Sequence, residues 1–171
     1  MNILRHIRLT LVAAAALAAV AGCGIYSFSG TSIQSDVKTI CVVPAVNKAL
    51  KVNPTLANSL TEAMNEKYRK LTKLEAVDDD GDLNVEMEIA SYDVRAAAIT
   101  ADEVAAMNRL TVTVKVKFKN FKHPEDDFES SFVAYEDYDS SNSLDAVESS
   151  LCDTIIEKLV DDIFNATVAQ W

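Results

Sequence analysis

The chain is short of the residues that most enzyme sites are built from. The chain holds only four glycines in 171 residues, and no glycine-rich phosphate loop is among them. The two histidines, His6 and His123, belong to no HExxH pair, and no serine sits in a nucleophile elbow. Cysteine is limited to Cys23, Cys41 and Cys152, none with the His or Cys spacing of a zinc site. Cations are scarce as well: 16 Lys and Arg against 26 Asp and Glu give a net charge of −10, which argues against general nucleic-acid binding. After residue 22 no apolar stretch is long enough to span a bilayer core of roughly 30 Å. These absences point away from catalysis, and neither a cofactor nor a metal is expected. A carboxylate pair among the 26 acids would be the remaining route to chemistry, but no spacing singles one out.

What the chain does have begins at its start. Residues 1–8 carry Arg5 and Arg8 and no acid, and residues 9–21 are Leu, Val and Ala apart from Thr10. That is the grammar of a secretory signal peptide. It ends in Val20-Ala21-Gly22-Cys23, which resembles the lipobox of bacterial lipoproteins: one aliphatic residue, two small ones, then the cysteine whose thiol receives diacylglycerol. The expectation is a cut before Cys23, lipidation of Cys23, and a membrane anchor, since two or three acyl chains at about 0.8 kcal/mol per methylene hold firmly. Gly24, rather than an aspartate, follows the cysteine, and residues 24–28 lack an acidic cluster. Both features favour the outer membrane and a periplasm-facing domain. Removing 1–22 takes away two arginines and no acid, leaving 14 cations against 26 acids and a net charge of −12.

The expected organisation is a signal peptide over 1–22, a lipidated tether over 23–37 and one domain over 38–171. The 149 residues from Cys23 onward suit a single core. Residues 38–45 read as an apolar strand closed by Pro44. Asn53-Pro54 opens a helix whose apolar positions, Leu56, Leu60, Ala63, Met64, Tyr68 and Leu71, recur at three- and four-residue steps. Asp78-Asp79-Asp80-Gly81-Asp82 has the look of a calcium loop, but Ala76 falls where the first acidic ligand belongs, so an acidic turn fits better.

Residues 83–89 alternate apolar with polar, as a strand with one wet face does. Residues 96–108 break the pattern, with Thr100 and Glu103 spaced as a capping box for a short helical turn through Met107. Residues 109–120 alternate again, 128–135 form a shorter strand, and 136–143 form an acidic, serine-rich connection. The last element is a helix with Leu144, Val147, Leu151, Ile155, Leu159 and Ile163 on its main stripe, widened by Cys152, Ile156, Val160 and Phe164.

The order β-α-β-β-β-α implies a two-layer α/β sandwich. Its sheet would be four-stranded and mostly antiparallel, with two helices on one face. Cys41 and Cys152 both stand among apolar neighbours, which favours two buried thiols over a disulfide.

Two surfaces stand out. Lys115, Lys117 and Lys119 share one strand face, with Lys122 just beyond and Arg109 at the strand's start. A row of cations in so acidic a chain either binds a polyanion's phosphates or keeps a sheet face soluble. The 96–108 connection places Ile99, Val104 and Met107 on a surface loop, where they either meet a partner or fold back onto their own sheet.

Taken together, the chain resembles the LptE family, the lipopolysaccharide-assembly lipoproteins of Gram-negative outer membranes. The resemblance lies in the start Cys23-Gly24-Ile25-Tyr26-Ser27-Phe28, the strand Thr39-Ile40-Cys41-Val42-Val43, the helix start Asn53-Pro54-Thr55-Leu56, Asp82-Leu83, and the order of elements. The run Ile99-Thr100-Ala101-Asp102-Glu103-Val104-Ala105-Ala106-Met107-Asn108-Arg109-Leu110 is its most distinctive part. The resemblance implies a lipoprotein that plugs a large outer-membrane β-barrel, LptD, helps it assemble, and aids delivery of lipopolysaccharide to the cell surface. Arg109, Lys115, Lys117, Lys119 and Lys122 are then candidate lipopolysaccharide contacts, and Ile99, Val104 and Met107 candidate barrel contacts. An accessory binding lipoprotein of another envelope transport system is the alternative. A stable barrel complex would separate the two.

Overall fold

A computed structural model describes residues 33–51, 53–97 and 107–168. Alternation of apolar and polar side chains decides its architecture. In β4 (Leu83–Ala97) and β5 (Met107–Asn120), Leu83, Val85, Met87 and Ile89 and then Leu110, Val112, Val114, Val116 and Phe118 are buried on one face. Their neighbours turn to solvent, so the sheet has one dry and one wet side.

Both helices cover the dry side. α1 (Leu56–Leu71) presents Leu56, Leu60, Met64 and Tyr68, one turn apart, and α2 (Leu144–Val168) presents Leu151, Ile155, Leu159 and Ile163 with Cys152, Ile156, Val160 and Phe164 beside them. The two helices meet at Tyr68 and Phe164, whose ring centroids lie 5.4 Å apart. The Tyr68 hydroxyl, fully buried, shares a 2.6 Å hydrogen bond with Thr167 Oγ1. At about 1.5–3 kcal/mol for each large apolar side chain buried, this single core is the main source of stability.

The class is as expected, but the sheet has six strands rather than four. β1 (Thr39–Val42) and β2 (Val46–Asn47) lie along the same edge of β4, both parallel to it, and are separated where Pro44 cannot donate to the ladder. β3 (Glu75–Ala76) adds a two-residue parallel strand outside β1. The path across the sheet is β3-β1-β4-β5-β6, with β6 (Phe128–Asp139) at the far end. The three long strands form the expected antiparallel meander. The first strand crosses over through α1, as parallel pairing requires.

Strand lengths also differ from the sequence reading. The pattern breaks after Ile89 because a β-bulge lies between Ile89 and Ser91. Beyond it Tyr92, three residues after Ile89, faces the core, and β4 runs on to Ala97. Met107 is the first residue of β5, half-buried and paired with Ala97 and Asp139, and is not part of a helical turn. β6 likewise continues to Asp139 instead of stopping at Tyr135, because Glu136 and Asp137 meet Lys158 and Arg109.

Two local devices seat β1. Gly81 lies so close to it that a Cβ would stand 2.6 Å from both Cys41 N and Leu83 O. Asp82 accepts hydrogen bonds from the Lys38 and Thr39 backbone N–H groups at 2.8 and 3.2 Å, so the acidic turn spends its last carboxylate on β1. Asn53 acts at the start of α1: its Oδ1 receives the N–H groups of Thr55 and Leu56, although the helix proper begins at Leu56.

The residues just before β1 are packed on the domain. Val37 is buried, Gln34 Nε2 donates to Asp126 Oδ2 at 2.8 Å, and Asp36 faces His123 Nε2 at 3.1 Å. The Asp36 carboxylate raises the affinity of His123 for its proton, and His123 lowers that of Asp36.

Candidate contact surface

The wet face of the sheet is where the sequence puts its cations. Lys115, Lys117 and Lys119 point there from β5, two residues apart, as expected. Register then decides what stands opposite each. Glu88 faces Lys115, Glu86 faces Lys117 from one side and Glu129 from the other, and Asn84 faces Lys119. Glu88 is itself taken by Lys48 at 2.7 Å, and this hydrogen bond holds its carboxyl below the ordinary range. Lys117 Nζ lies 4.0 Å from Glu86. Among the described residues Lys115 and Lys119 have no carboxylate within 4.0 Å, and Lys119 rests 5.9 Å from the Phe121 ring. A row of lysines is therefore present, but it is interleaved with acids and only part of it is available.

Arg109 and Lys122 stand apart from that row. Arg109 shares the face but lies six residues, about 20 Å, from Lys115. Its guanidinium grips Asp137 with two hydrogen bonds of 2.7 and 2.9 Å and covers the Tyr135 ring at 3.8 Å. The pair lowers the Asp137 carboxyl from its ordinary value and raises Arg109. Lys122 reaches Asp82 at 3.4 Å, joining the cluster that seats β1. The structure thus brings three of the five cations together and engages the other two in local pairs.

The apolar candidates divide similarly. Met107 opens β5, whereas Ile99 and Val104 lie outside the described residues, as do Thr100, Glu103 and the lipidation candidate Cys23. Sequence reasoning passed over one feature of the wet face. Where the bulge displaces β4, Ser91, Asp93, Arg95, Thr111 and Thr113 border a trough of about 600 Å³ floored by hydroxyls, with the fully exposed Leu50 at its rim. Serine and threonine in a strand carry no motif, and the bulge that gathers them is invisible in the sequence.

The two described cysteines are free and buried. Burial pushes both thiols up; Cys41 Sγ lies 3.4 Å from the Asp78 carbonyl and Cys152 Sγ 3.7 Å from Asn53 Nδ2. Tyr92 reaches the same corner, donating its hydroxyl to Glu148, and burial together with that carboxylate raises it. Among the described residues no group of three His, Cys, Asp or Glu is arranged to hold a metal ion, and no helix is long and apolar enough to cross a membrane.

Comparison with known proteins places this architecture. No curated protein sequence matches the chain. Solved structures do match in fold. A homologue of a neuraminyllactose-binding hemagglutinin from Helicobacter pylori superposes with a TM-score of 0.53 at 12% identity, covering 81% of this chain and 87% of that one. A hypothetical protein from Chlamydia trachomatis superposes with a TM-score of 0.50 at 10% identity, covering 77% of this chain and 98% of that one. At such identities the likeness is one of fold alone. The family model for LptE, described as lipopolysaccharide-assembly, matches residues 37–167, from the buried Val37 to the last turn of α2. The chain belongs to the LptE family.

Proposed function

We propose that the protein is an outer-membrane lipoprotein, anchored through Cys23, that seats in the lipopolysaccharide-export barrel LptD, helps it assemble and aids delivery of lipopolysaccharide to the cell surface. Membership of the LptE family across residues 37–167 carries this reading. Two features of the molecule support it. The lipobox Val20-Ala21-Gly22-Cys23 supplies the anchor, and the sheet offers a broad polar face rather than an enclosed reaction site.

In this reading the glycolipid's phosphates meet Lys115 and Lys119, which have no carboxylate within 4.0 Å among the described residues, with Lys117 beside them. Arg109 and Lys122 contribute through the field they add more than by direct contact, since each already holds a carboxylate. Met107, the first residue of β5, is a candidate contact with the barrel wall, together with Ile99 and Val104.

The test is purification of the lipidated protein from mild detergent, with mass spectrometry of what remains bound. One outer-membrane barrel in near-stoichiometric amount is the expected result. Recovery of the lipoprotein alone, or with inner-membrane transporter subunits, would overturn the barrel assignment and favour an accessory role in another envelope transporter.

A further inference from the structure

The sheet ends in one long, unblunted strand. β6 runs for 12 residues and, among the described residues, pairs with β5 on one side only. The direction of its backbone groups follows from the hydrogen bonds of its neighbours. Phe121 N–H donates to the Asp82 carbonyl at 2.9 Å, so odd-numbered residues of β5 bond to β4 and even-numbered ones bond to β6. Because Thr111 stands opposite Tyr135, the odd-numbered residues of β6 turn their N–H and C=O groups away from the sheet. The Tyr135 carbonyl agrees, since it accepts a 3.1 Å hydrogen bond from Lys158 Nζ on that outer side. Among the described residues nothing meets the outward groups of Glu129, Ser131 and Val133.

Exposed edges are normally blunted by lysine, proline, a bulge or brevity. The opposite edge is treated in this way: β3 has two residues, and Pro44 interrupts the line of β1 and β2. β6 has no proline, lysine or bulge, and it leaves Val133 and Tyr135 exposed by 54% and 47%. Its charges are all of one sign: Glu129, Glu136, Asp137 and Asp139.

We infer that the outer edge of β6, from Glu129 to Val133, takes up an extended segment of a partner polypeptide as a further strand, a segment in which Lys or Arg alternates with apolar residues. Main-chain hydrogen bonds supply the affinity of such strand addition, and side chains supply the choice of partner. The cations of the partner strand lie on the wet face beside Glu129, and its apolar side chains lie on the other face beside the half-buried Phe128 and Phe132. A second copy paired two-fold about Val133 would set Glu129 against Asp137 twice, and like charges directly opposite destabilise a sheet; a dimer in any other register is separated by the test below. The inference goes beyond the barrel reading and stands without it, because it names the chemistry of the strand and not its owner.

The test uses the full lipidated chain in detergent micelles and a nine-residue peptide of alternating lysine and valine, with amide exchange followed residue by residue. Saturating peptide is expected to slow exchange at Ser131 and Val133 at least tenfold while leaving amides bonded to β5 unchanged. A peptide of alternating glutamate and valine is expected to bind at least tenfold more weakly. Val133→Pro removes one outward N–H and spares the ladder to β5, so it should lose at least tenfold in peptide affinity with an unchanged circular dichroism spectrum. Exchange at Ser131 and Val133 that ignores the peptide overturns the inference with no variant needed. So does equal binding by folded Val133→Pro, or a dimer that this substitution dissolves. Failure to recover a barrel while the peptide still protects these two amides would count against the barrel reading alone.

Discussion

Neutralising two acids on the wet face should tighten lipopolysaccharide binding, a sign that the row of lysines alone does not suggest. Glu86 and Glu88 stand opposite Lys117 and Lys115, so a phosphate seated on the row feels both acids at close range. Two unit charges about 7 Å apart in water interact by about 0.6 kcal/mol. Glu86→Gln with Glu88→Gln therefore removes about 1.2 kcal/mol of repulsion, cut to about 0.5 kcal/mol at 0.15 M salt, where the Debye length is about 8 Å. That corresponds to about twofold tighter binding, rising to about fivefold near 0.01 M salt, where screening nearly vanishes. Reversing Lys115 and Lys119 to Glu changes two charge units at each site and should weaken binding about fivefold at the higher salt, more at the lower.

The assay is titration of unlipidated Cys23→Ala protein with lipopolysaccharide at both ionic strengths, alongside thermal melting. Exposed pairs contribute about 0–1 kcal/mol, so the melting temperatures should stay close to the parent's. Weaker binding on acid removal, or equal changes at the two salts, would refute a phosphate seated on this row.

Further outcomes follow from the core and from the chain's start. Tyr68→Phe should cost about 1 kcal/mol and Thr167→Val about 1–3 kcal/mol by stranding the tyrosine hydroxyl, while the double variant costs less than their sum; chemical denaturation of all four forms gives the coupling. Burial raises Tyr68 above its ordinary value, so folding favours the protonated phenol. Its contribution is intact below about pH 10 and is lost above it, so Tyr68→Phe should flatten the alkaline fall in stability by about 1.4 kcal/mol per pH unit. Gly81→Ala forces a methyl group against two backbone atoms of β1 and β4 and should destabilise by about 1–3 kcal/mol in urea unfolding; a neutral result would show that the turn can shift. The His123 ring, followed by NMR, should titrate above its ordinary value and fall back toward it in Asp36→Asn. That ion pair is thus present between the lowered titration of Asp36 and the raised titration of His123, and is released as pH rises through the latter. Cys23→Ala should free the protein from membranes without detergent, and continued membrane retention would mean that the anchor lies elsewhere.

Much of the fold was legible because periodicity reports burial directly. Leu110, Val112, Val114, Val116 and Phe118 alternate in the sequence and are all buried in the structure. The steps of four in α1 and α2 likewise name the residues that meet the sheet. The reading failed where alternation itself failed. The bulge after Ile89 changes which residues face inward, so alternation marked the strand only as far as Ile89. The two-residue strands β2 and β3 are too short to have a period.

The contact surface divides along the same line. One strand's sequence places Lys115, Lys117 and Lys119 on a common face, because side chains alternate along any strand. Which acids stand across from them, which cations are held by Asp137 or Asp82, and which edge of the sheet is left open depend on register and strand order. Those are relations between segments far apart in the chain, settled by how the two helices and six strands of the described residues close over one core. Local pattern therefore determined the faces and the order of the long elements, and tertiary packing alone decided which charges remain free to meet a partner.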